Sequence, residues 1–181
     1  SFTFTENIRS QEKADYSVST VKNTPTGIHY TCENYQVTTQ QFGDHSAANS
    51  LAVFAVLVNN GFSAENAGKA LSTFKGVTRR FDYKGVRGNK RIYDDYAHNV
   101  QKLAAIIETA QGLDQQPVYA VFQPHGYGPL GFMRSALMDE LKNVLRPNDK
   151  FIFLPVFYAG GTTSFKPPSD EVAAEYKAAG L

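Results

Sequence analysis

The sequence predicts an α/β protein in which a β-meander and two helices precede a mostly parallel sheet flanked by helices. Three observations lead to this prediction. Residues 1–42 alternate polar and apolar side chains as half-buried strands do. Residues 44–74 carry two helical patterns. Beyond residue 77, short apolar strands alternate with helices, the order that typically produces parallel strands covered by helices.

The first part of the chain contains the predicted meander and both of its helices. The strands are "DYSVSTV", "GIHYTC" and "YQVTTQQF". A buried helix is expected to begin with Asp44 as its cap and to end at Gly61, and "SAENAGKALSTF" follows with Ser63 as its cap. The segment "KGVTRRFDYKG" breaks the helical period, so we place a domain boundary near Val77, between residues 1–77 and 78–181.

The second part alternates strands and helices. "RRFDYKGV" and "KRIYDD" are predicted strands, which a turn at "RGN" could join as a hairpin. A helix is expected from about Asn99 to Gln111, with one apolar face formed by Leu103, Ile106, Ile107 and Ala110. The remaining elements are the strand "PVYAVFQP", the helix "LGFMRSALMDELKNVL", the strand "KFIFLPVF" and a last helix in "PPSDEVAAEYKAAG" with Ser169 as its cap.

Composition excludes several classes of protein. The apolar fraction of 42% suits a globular core, and a net charge of +1 gives no reason to expect nucleic-acid or membrane partners. A single cysteine, Cys32, excludes a disulfide framework and a cysteine zinc site. The longest apolar run, "LAVFAVLV", is too short to span a bilayer. Because the chain opens on strand-like sequence at Ser1, we expect it to be a fragment of a longer protein.

Three loops follow predicted strands and carry more polar, aromatic and glycine residues than a connection needs. They are "DDYAHN", "FQPHGYGPLG" and "PVFYAGGTTSFKPP". Ligands of open α/β sheets gather at the carboxyl ends of the strands, so these loops predict a site. Metal binding is not expected, and no "GxxxxGK[ST]" phosphate loop occurs in the 181 residues.

The loop "DDYAHN" has two interpretations. One of Asp94 and Asp95 caps the following helix while the other is solvated, or an aspartate accepts hydrogen bonds from ribose hydroxyls or from a cationic substrate. His98 is an exposed loop residue or a functional group that the nearby helix N-terminus keeps neutral. In "FQPHGYGPLG" the three glycines allow either a plain turn or a close approach to a ligand.

Two further motifs precede these loops. In "GDHSAAN", His45 and Asn49 are four residues apart and share a helix face, and with no third metal ligand evident they suit a nucleobase edge better than a metal. Arg79 and Arg80 are surface charges or contacts for phosphate, to which an arginine fork binds bidentately.

Taken together, these motifs resemble the Mur ligase family, the ATP-dependent ligases that build the peptide stem of bacterial peptidoglycan. The family carries "G-x-H-N-x-x-N", "F-x-G-V-x-R-R-F", "DDYAHHP" and "FQPHRYTR" in that order. Here they read "GDHSAAN", "FKGVTRRF", "DDYAHNV" and "FQPHGYGP", with matching spacing from about Gly43 to Leu154. The arrangement most resembles the branch that joins an amino acid such as L-alanine to UDP-N-acetylmuramate.

The resemblance implies a fold and a reaction. Residues 1–77 would be the end of a central ATP-binding domain, and residues 78–181 a Rossmann-like C-terminal domain. ATP would phosphorylate a carboxylate, and an amine would displace phosphate to form an amide. The cofactors would be ATP and Mg²⁺, with the main Mg²⁺ ligands outside this chain, so the fragment alone is expected to be inactive. The location would be the bacterial cytoplasm.

The resemblance also implies roles for individual residues of the nucleotide half of the site. His45 and Asn49 match positions near adenine, and Asp95 matches the aspartate near the ribose. Arg80 matches an arginine that reaches the ATP phosphates when the C-terminal domain closes, which makes it a candidate catalytic residue. Such closure would exclude water from an acyl phosphate.

In the amino-acid half, Tyr96, His98 and His125 match positions that line the pocket of the incoming amino acid, with His98 a second catalytic candidate. Both arginines of "FQPHRYTR" are replaced, by Gly126 and Pro129. In the alanine ligases these arginines lie where the carboxylate of the amino acid would bind, and each contact is worth about 1.5–3 kcal/mol. Arg134 on the following helix is the candidate replacement.

The departures keep alternatives open. "DDYAHHP" also departs from the family at Asn99 and Val100. The chain could belong to a ligase of the same superfamily that acts on a recycled muropeptide or a folate-like substrate, or to a non-catalytic nucleotide-binding module. Exposed strand edges within residues 1–42 could also pair two copies of the fragment as a homodimer.

Overall fold

The computed structural model describes residues 4–5, 15–24, 26–32, 34–113, 115–158, 160–161, 164 and 166–181. The chain divides into two compact units, Ser1–Tyr96 and Ala97–Leu181. The predicted strand-rich sequence before Asp15 lies outside the described residues, except for Phe4 and Thr5. No described helix is long and apolar enough to cross a membrane.

Unit 1 contains the meander and both predicted helices. Strands β1 (Phe4–Thr5), β2 (Tyr16–Thr24), β3 (Gly27–Cys32) and β4 (Tyr35–Thr39) form a sheet in sequence order, with β1 parallel to β2 and the other pairs antiparallel. Helices α1 (Asp44–Asn59) and α2 (Ala64–Thr73) follow. Their apolar faces and the sheet enclose a core that includes Val18, Ile28, Tyr30, Cys32, Val37, Leu51, Phe54, Ala67 and Leu71.

The sequence predicts the capping residue correctly for α2 but not for α1. Ser63 caps α2, since its side chain accepts a hydrogen bond from the Asn66 N–H at 3.2 Å. Asp44 does not cap α1, so that prediction is wrong. Gly43 is the capping residue, at φ 82°, and the Asp44 carboxylate instead accepts a hydrogen bond from the Asn23 side-chain amide at 3.3 Å. The left-handed backbone of Gly43 moves the helix start one residue back.

The predicted hairpin at "RGN" is confirmed. Strands β5 (Asp82–Arg87) and β6 (Lys90–Asp94) pair antiparallel, and Gly88 at φ 62° lies in the turn. The hairpin belongs to the compact unit Ser1–Tyr96, whereas the boundary predicted from the sequence lies before the hairpin, near Val77. The predicted boundary stays a prediction.

Unit 2 has the predicted alternation of strands and helices. Its elements are α3 (Val100–Leu113), β7 (Tyr119–Phe122), α4 (Tyr127–Val144), β8 (Lys150–Phe153) and α5 (Ser169–Ala178). Strands β7 and β8 are parallel, with Tyr119 opposite Lys150 and Phe122 opposite Phe153. The core contains Leu103, Ala104, Ile107, Phe122, Leu130, Met133, Leu137, Leu141, Val144, Val172 and Tyr176. The α/β class is therefore confirmed.

The start of α5 differs from the prediction. Ser169 is the first residue of the helix and Pro168 is the capping residue, so Ser169 does not act as the cap. Its hydroxyl is buried and has no hydrogen-bond partner among the described residues.

Candidate functional site

The segment that joins α2 to β5 is held by hydrogen bonds from two directions. The Arg80 N–H donates to the Val77 carbonyl at 3.1 Å, and the Arg79 N–H donates to the Asp82 carboxylate at 3.2 Å. The Phe81 N–H donates to Asp95 Oδ2 at 2.7 Å. We call residues 77–82 the joint.

Two bulky residues of the joint have left-handed backbones. Arg79 has φ 61° and Phe81 has φ 45°. For a residue with a side chain, this conformation costs about 1–2 kcal/mol. Such a conformation persists only where surrounding contacts fix it, and positions of this kind cluster at functional sites. Arg80 lies between these two residues with its side chain exposed.

Aromatic rings fix Phe81 and connect the joint to the start of α1. The Phe81 ring is stacked on Tyr93 of β6, with centroids 4.4 Å apart, and contacts Phe42 at 5.8 Å. Phe42 lies just before α1, so the first turn of α1 is close to the joint. His45 and Asn49 are both exposed on α1, one turn apart as predicted. The contact between Phe42 and Phe81 thus connects the segment before α1 to the joint.

Further contacts of the joint involve Asp94, Tyr96 and Asp82. The Tyr96 N–H donates to the Arg79 carbonyl at 2.9 Å, and the Arg79 guanidinium lies 4.6 Å from the centre of the Tyr96 ring. Arg79 Nε is 3.9 Å from Asp94 Oδ2, and both side chains are about half exposed. The Lys84 ammonium donates to Asp82 at 2.6 Å and, with the Arg79 N–H, lowers the pKa of Asp82 from its usual 3.8.

In unit 2, the second and third predicted loops meet at the carboxyl ends of β7 and β8. The parallel pairing continues beyond both strands, since Leu154 N–H donates to the Phe122 carbonyl and Phe157 N–H to the Pro124 carbonyl, each at 2.8 Å. His125 is paired with Phe157 through an isolated bridge, and their rings are 5.7 Å apart. The expectation that these loops gather at one sheet edge is therefore confirmed for this pair.

Aromatic side chains surround this edge. The rings of Tyr127 and Tyr158 are 6.1 Å apart, next to the pair formed by His125 and Phe157. All four follow the ends of the two strands, beside the N-terminus of α4. The sequence prediction named the loop that holds Phe157 and Tyr158 without singling out either residue, although aromatic residues directly after a strand could have indicated both.

The two family arginines missing from the second loop are replaced by residues that fit each other. Gly126 precedes α4 at φ 110°, and a Cβ added there would lie 3.2 Å from Cδ of Pro129. An arginine at position 126 would therefore need a different backbone conformation. The conformation of this loop therefore depends on a residue without a side chain at position 126.

Arg134, the predicted replacement, lies on α4 and faces two glutamates of α5. Its guanidinium is 3.8 Å from Glu171 and 3.6 Å from Glu175, and its side chain is 40% exposed. Its carbonyl accepts a hydrogen bond from the Tyr176 hydroxyl. A ligand carboxylate at Arg134 would therefore compete with both glutamates.

His98 and Asn99 lie directly before α3. Asn99 Oδ1 accepts a hydrogen bond from the Lys102 N–H at 3.0 Å and so caps the helix, which gives the departure from "DDYAHHP" a structural role. His98 is exposed one residue earlier.

The joint and α1 expose side chains with hydrogen-bond donors and acceptors. Among the described residues, no group of three or more His, Cys, Asp or Glu side chains could hold a metal. The exposed arginine of the joint and the polar side chains of α1 suit an anionic phosphate and a base edge.

Comparison with known proteins agrees with these motifs. The family model "Mur ligase, glutamate ligase domain" matches residues 79–180. A UDP-N-acetylmuramate–L-alanine ligase from Fusobacterium nucleatum is 36% identical over 140 residues, 72% of this chain and 29% of that protein. One from Acetivibrio thermocellus is 33% identical over 70% of this chain and 27% of that protein. The chain thus spans less than a third of these curated relatives.

Solved structures show the same fold. UDP-N-acetylmuramate-alanine ligase MurC from Thermotoga maritima aligns with 98% of this chain and 48% of its own, with a TM-score of 0.62 and 20% identity. Folylpolyglutamate synthetase from Lactobacillus casei aligns with 92% of this chain and 41% of its own, with a TM-score of 0.52 and 18% identity. Because the family model covers more than half of its residues, the chain belongs to the Mur ligase family.

Proposed function

We propose that the protein carrying this chain is an ATP-dependent ligase that joins an amino acid, L-alanine or a similar one, to UDP-N-acetylmuramate. The observation that carries the proposal is the joint, where Arg80 is exposed between two residues held in left-handed conformations. The curated relatives named UDP-N-acetylmuramate–L-alanine ligase support the choice of substrate.

The proposed chemistry passes through an acyl phosphate. A carboxylate oxygen of the substrate attacks the γ-phosphorus of ATP and ADP leaves, and the amine then attacks the acyl carbon, phosphate leaves and the amine loses a proton. In this scheme Arg80 stabilises negative charge on the transferred phosphoryl group, as a planar fork of N–H donors does well. His45 and Asn49 would contact adenine, and Asp95 the ribose.

The amino acid would bind at residues that include Tyr96, His98 and His125, with Arg134 as the partner of its carboxylate. Support comes from His125, which lies at the carboxyl ends of β7 and β8 beside the Phe157 ring. Exposed charge at Arg134 is balanced by Glu171 and Glu175. A carboxylate that binds there must offer a better geometry than these two ion pairs.

A second candidate function differs only in the amine or acid that is joined. Gly126 and Pro129 stand where the resemblance places two arginines, so the predicted amino-acid site has two fewer cations. A superfamily ligase with a recycled muropeptide or a folate-like substrate would fit that change. A non-catalytic nucleotide-binding module is the third candidate, and it gives no reason for an arginine held as Arg80 is.

The experiment is a screen of phosphate release by the full-length protein with ATP, Mg²⁺, UDP-N-acetylmuramate and each amino acid in turn. We expect release that depends on L-alanine or a similar amino acid, and none from the 181-residue chain alone. Arg80→Ala should lower kcat roughly 10²- to 10³-fold, while Arg87→Ala, at an exposed arginine of the hairpin, should not.

Three outcomes would contradict parts of this proposal. Release with a peptide or folate acceptor but not with UDP-N-acetylmuramate would favour the second candidate. Nucleotide binding without release under any condition would favour the module. Full L-alanine activity in Arg134→Ala would remove the role given to Arg134.

A further inference from the structure

We propose that Asp95 is a positioning residue that holds the joint in its left-handed conformation and thereby aims Arg80. This rests on the proposed function for the role of Arg80, and on contacts within unit 1 for the rest. The resemblance to the family gives Asp95 a contact with ribose, whereas the structure shows its carboxylate bound to the Phe81 N–H at 2.7 Å.

The bond between Asp95 and Phe81 is placed to control the joint. It connects residues 14 positions apart and ties the joint to the end of β6. The acceptor carries a charge, and charge-assisted hydrogen bonds are about twice as strong as neutral ones. Phe81 is only 7% exposed, so its N–H has little access to water as an alternative partner.

Neighbouring contacts fix Arg80 from both sides. On one side, the Phe81 ring is stacked on Tyr93 of β6, the strand that ends directly before Asp95. On the other side, Tyr96 N–H binds the Arg79 carbonyl, and Asp82 binds the Arg79 N–H. With the backbone held before and after it, the position of the Arg80 backbone is fixed while its side chain stays exposed. Preorganisation of this kind lowers the entropy cost of binding an anion.

Asp94 provides a matched comparison within the same dipeptide. Its nearest recorded cation is Arg79 at 3.9 Å, and both side chains are about half exposed, so solvent screens the pair. Within the described residues, the N–H groups of Arg79, Arg80 and Phe81 donate to acceptors other than the Asp94 carboxylate. Removal of the Asp94 carboxylate should therefore leave the joint in place.

The first test needs no nucleotide. Arg79 and Arg80 are trypsin sites inside the joint, and cleavage there requires the joint to open. In the 181-residue chain, Asp95→Ala should raise the rate of cleavage after these arginines roughly 10- to 100-fold, the effect of losing one charged hydrogen bond. Asp94→Ala should leave the rate unchanged. Asp95→Asn should stay within a few-fold of the wild type, because its amide oxygen can still accept from Phe81.

A measurement on the unmodified chain covers the case in which Asp95→Ala fails to fold. The Phe81 amide lies outside every helix and strand, so slow hydrogen exchange there would come from the bond to Asp95. We expect protection of this amide comparable to that of β6. Rapid exchange would overturn the proposal, as would equal trypsin cleavage of Asp94→Ala and Asp95→Ala.

The second test connects the joint to turnover in the full-length protein. Asp95→Ala should lower kcat up to about 10²-fold, the effect of a misplaced catalytic group. A rise in KM for ATP with kcat unchanged would leave only the ribose contact and overturn the positioning role. Combined with Arg80→Ala, Asp95→Ala should add little further loss, since it acts through Arg80. If the protein has no ligase activity, the cleavage and exchange results still decide the structural part.

Discussion

Asp95 in unit 1 and Asp149 in unit 2 use the same chemistry at different places in their units. Each accepts a backbone N–H from another segment, Phe81 for Asp95 and Val118 for Asp149, both at 2.7 Å. Asp149 lies directly before β8 and Val118 directly before β7, so this bond is at the amino ends of the parallel strands. The candidate site of unit 2 is at their opposite, carboxyl ends.

The two aspartates differ in what surrounds them. The Asp149 side chain is fully buried and also accepts hydrogen bonds from the Arg146 guanidinium and N–H and from the Gln111 amide, between 2.8 and 3.1 Å. Asp95 is half-buried beside an exposed arginine and two strained residues. A carboxylate that captures a backbone N–H stabilises the fold in the first setting and controls local geometry in the second.

The largest effect is expected from Asp149→Ala. The substitution leaves the Val118 N–H and the Arg146 guanidinium without their buried acceptor, so it should lower the free energy of unfolding of unit 2 by about 3–5 kcal/mol. Urea titration followed by hydrogen exchange of the β7 amides would measure it. Asp139→Ala, at an exposed position of α4, is the control, with a change of about 0.5 kcal/mol or less. A loss below about 1 kcal/mol for Asp149→Ala would contradict the role of this network.

The same carboxylate should make the stability of unit 2 depend on pH. Burial alone would raise the pKa of Asp149, but the hydrogen bonds from Arg146, Val118 and Gln111 outweigh it and hold the pKa well below its usual 3.8. A lowered folded-state pKa gives stability that is present above the unfolded-state value and is lost as the pH falls through the folded-state value. The difference between wild type and Asp149→Ala should therefore be constant near neutral pH and shrink below about pH 4. A difference that stays constant down to about pH 2 would contradict it.

The sequence predicted local features of the fold well, because local features depend on neighbouring residues. The positions of β7 and β8, the hairpin turn and the Ser63 cap all follow from strand periodicity, turn residues or a cap residue directly before its helix. The start of α1 was wrong by one residue because Gly43 adopts a left-handed backbone that its neighbour cannot adopt as easily. The hairpin's membership in unit 1 depends on long-range contacts such as that of Phe42 with Tyr93, which no periodicity shows.

The candidate site was predicted as a set of residues but not as a set of contacts. Arg80 and Asp95 were both singled out, yet the bond that connects their segments spans 14 positions and runs to a backbone N–H. Bulky residues at positive φ carry no sequence pattern, so the strained joint was not foreseen. Nor was Asp149, since a single aspartate before a strand resembles any solvated turn residue.

A pair of asparagine substitutions distinguishes the two aspartates more finely. Asp95→Asn keeps a carbonyl oxygen that can accept the Phe81 N–H, and it should cost less than about 1 kcal/mol. Asp149→Asn turns an amide N–H₂ toward several buried donors and loses the charge opposite Arg146, so it should cost about 1–3 kcal/mol. Urea titrations of both variants, with exchange of β6 and β7 amides as separate readouts, would measure the two costs. Equal losses of unfolding free energy in the two variants would mean that the two carboxylates have the same structural role.

The smallest effect is expected from Arg134→Ala. Its ion pairs with Glu171 and Glu175 are 3.6 Å or longer and solvent-exposed, so their loss should change the free energy of unfolding by about 0–1 kcal/mol. The Tyr176 hydroxyl binds the Arg134 backbone carbonyl, and that bond survives the substitution.

Tyr176→Phe is the matched control for Arg134→Ala, since it removes the hydroxyl and keeps the buried ring. It should cost about 0.5–1.5 kcal/mol, as much as the arginine or more. If this order holds, the Arg134 guanidinium contributes little to folding, and any loss of amino-acid affinity in Arg134→Ala reports binding alone. A loss above about 2 kcal/mol in Arg134→Ala would instead make Arg134 a structural residue of α4 and α5.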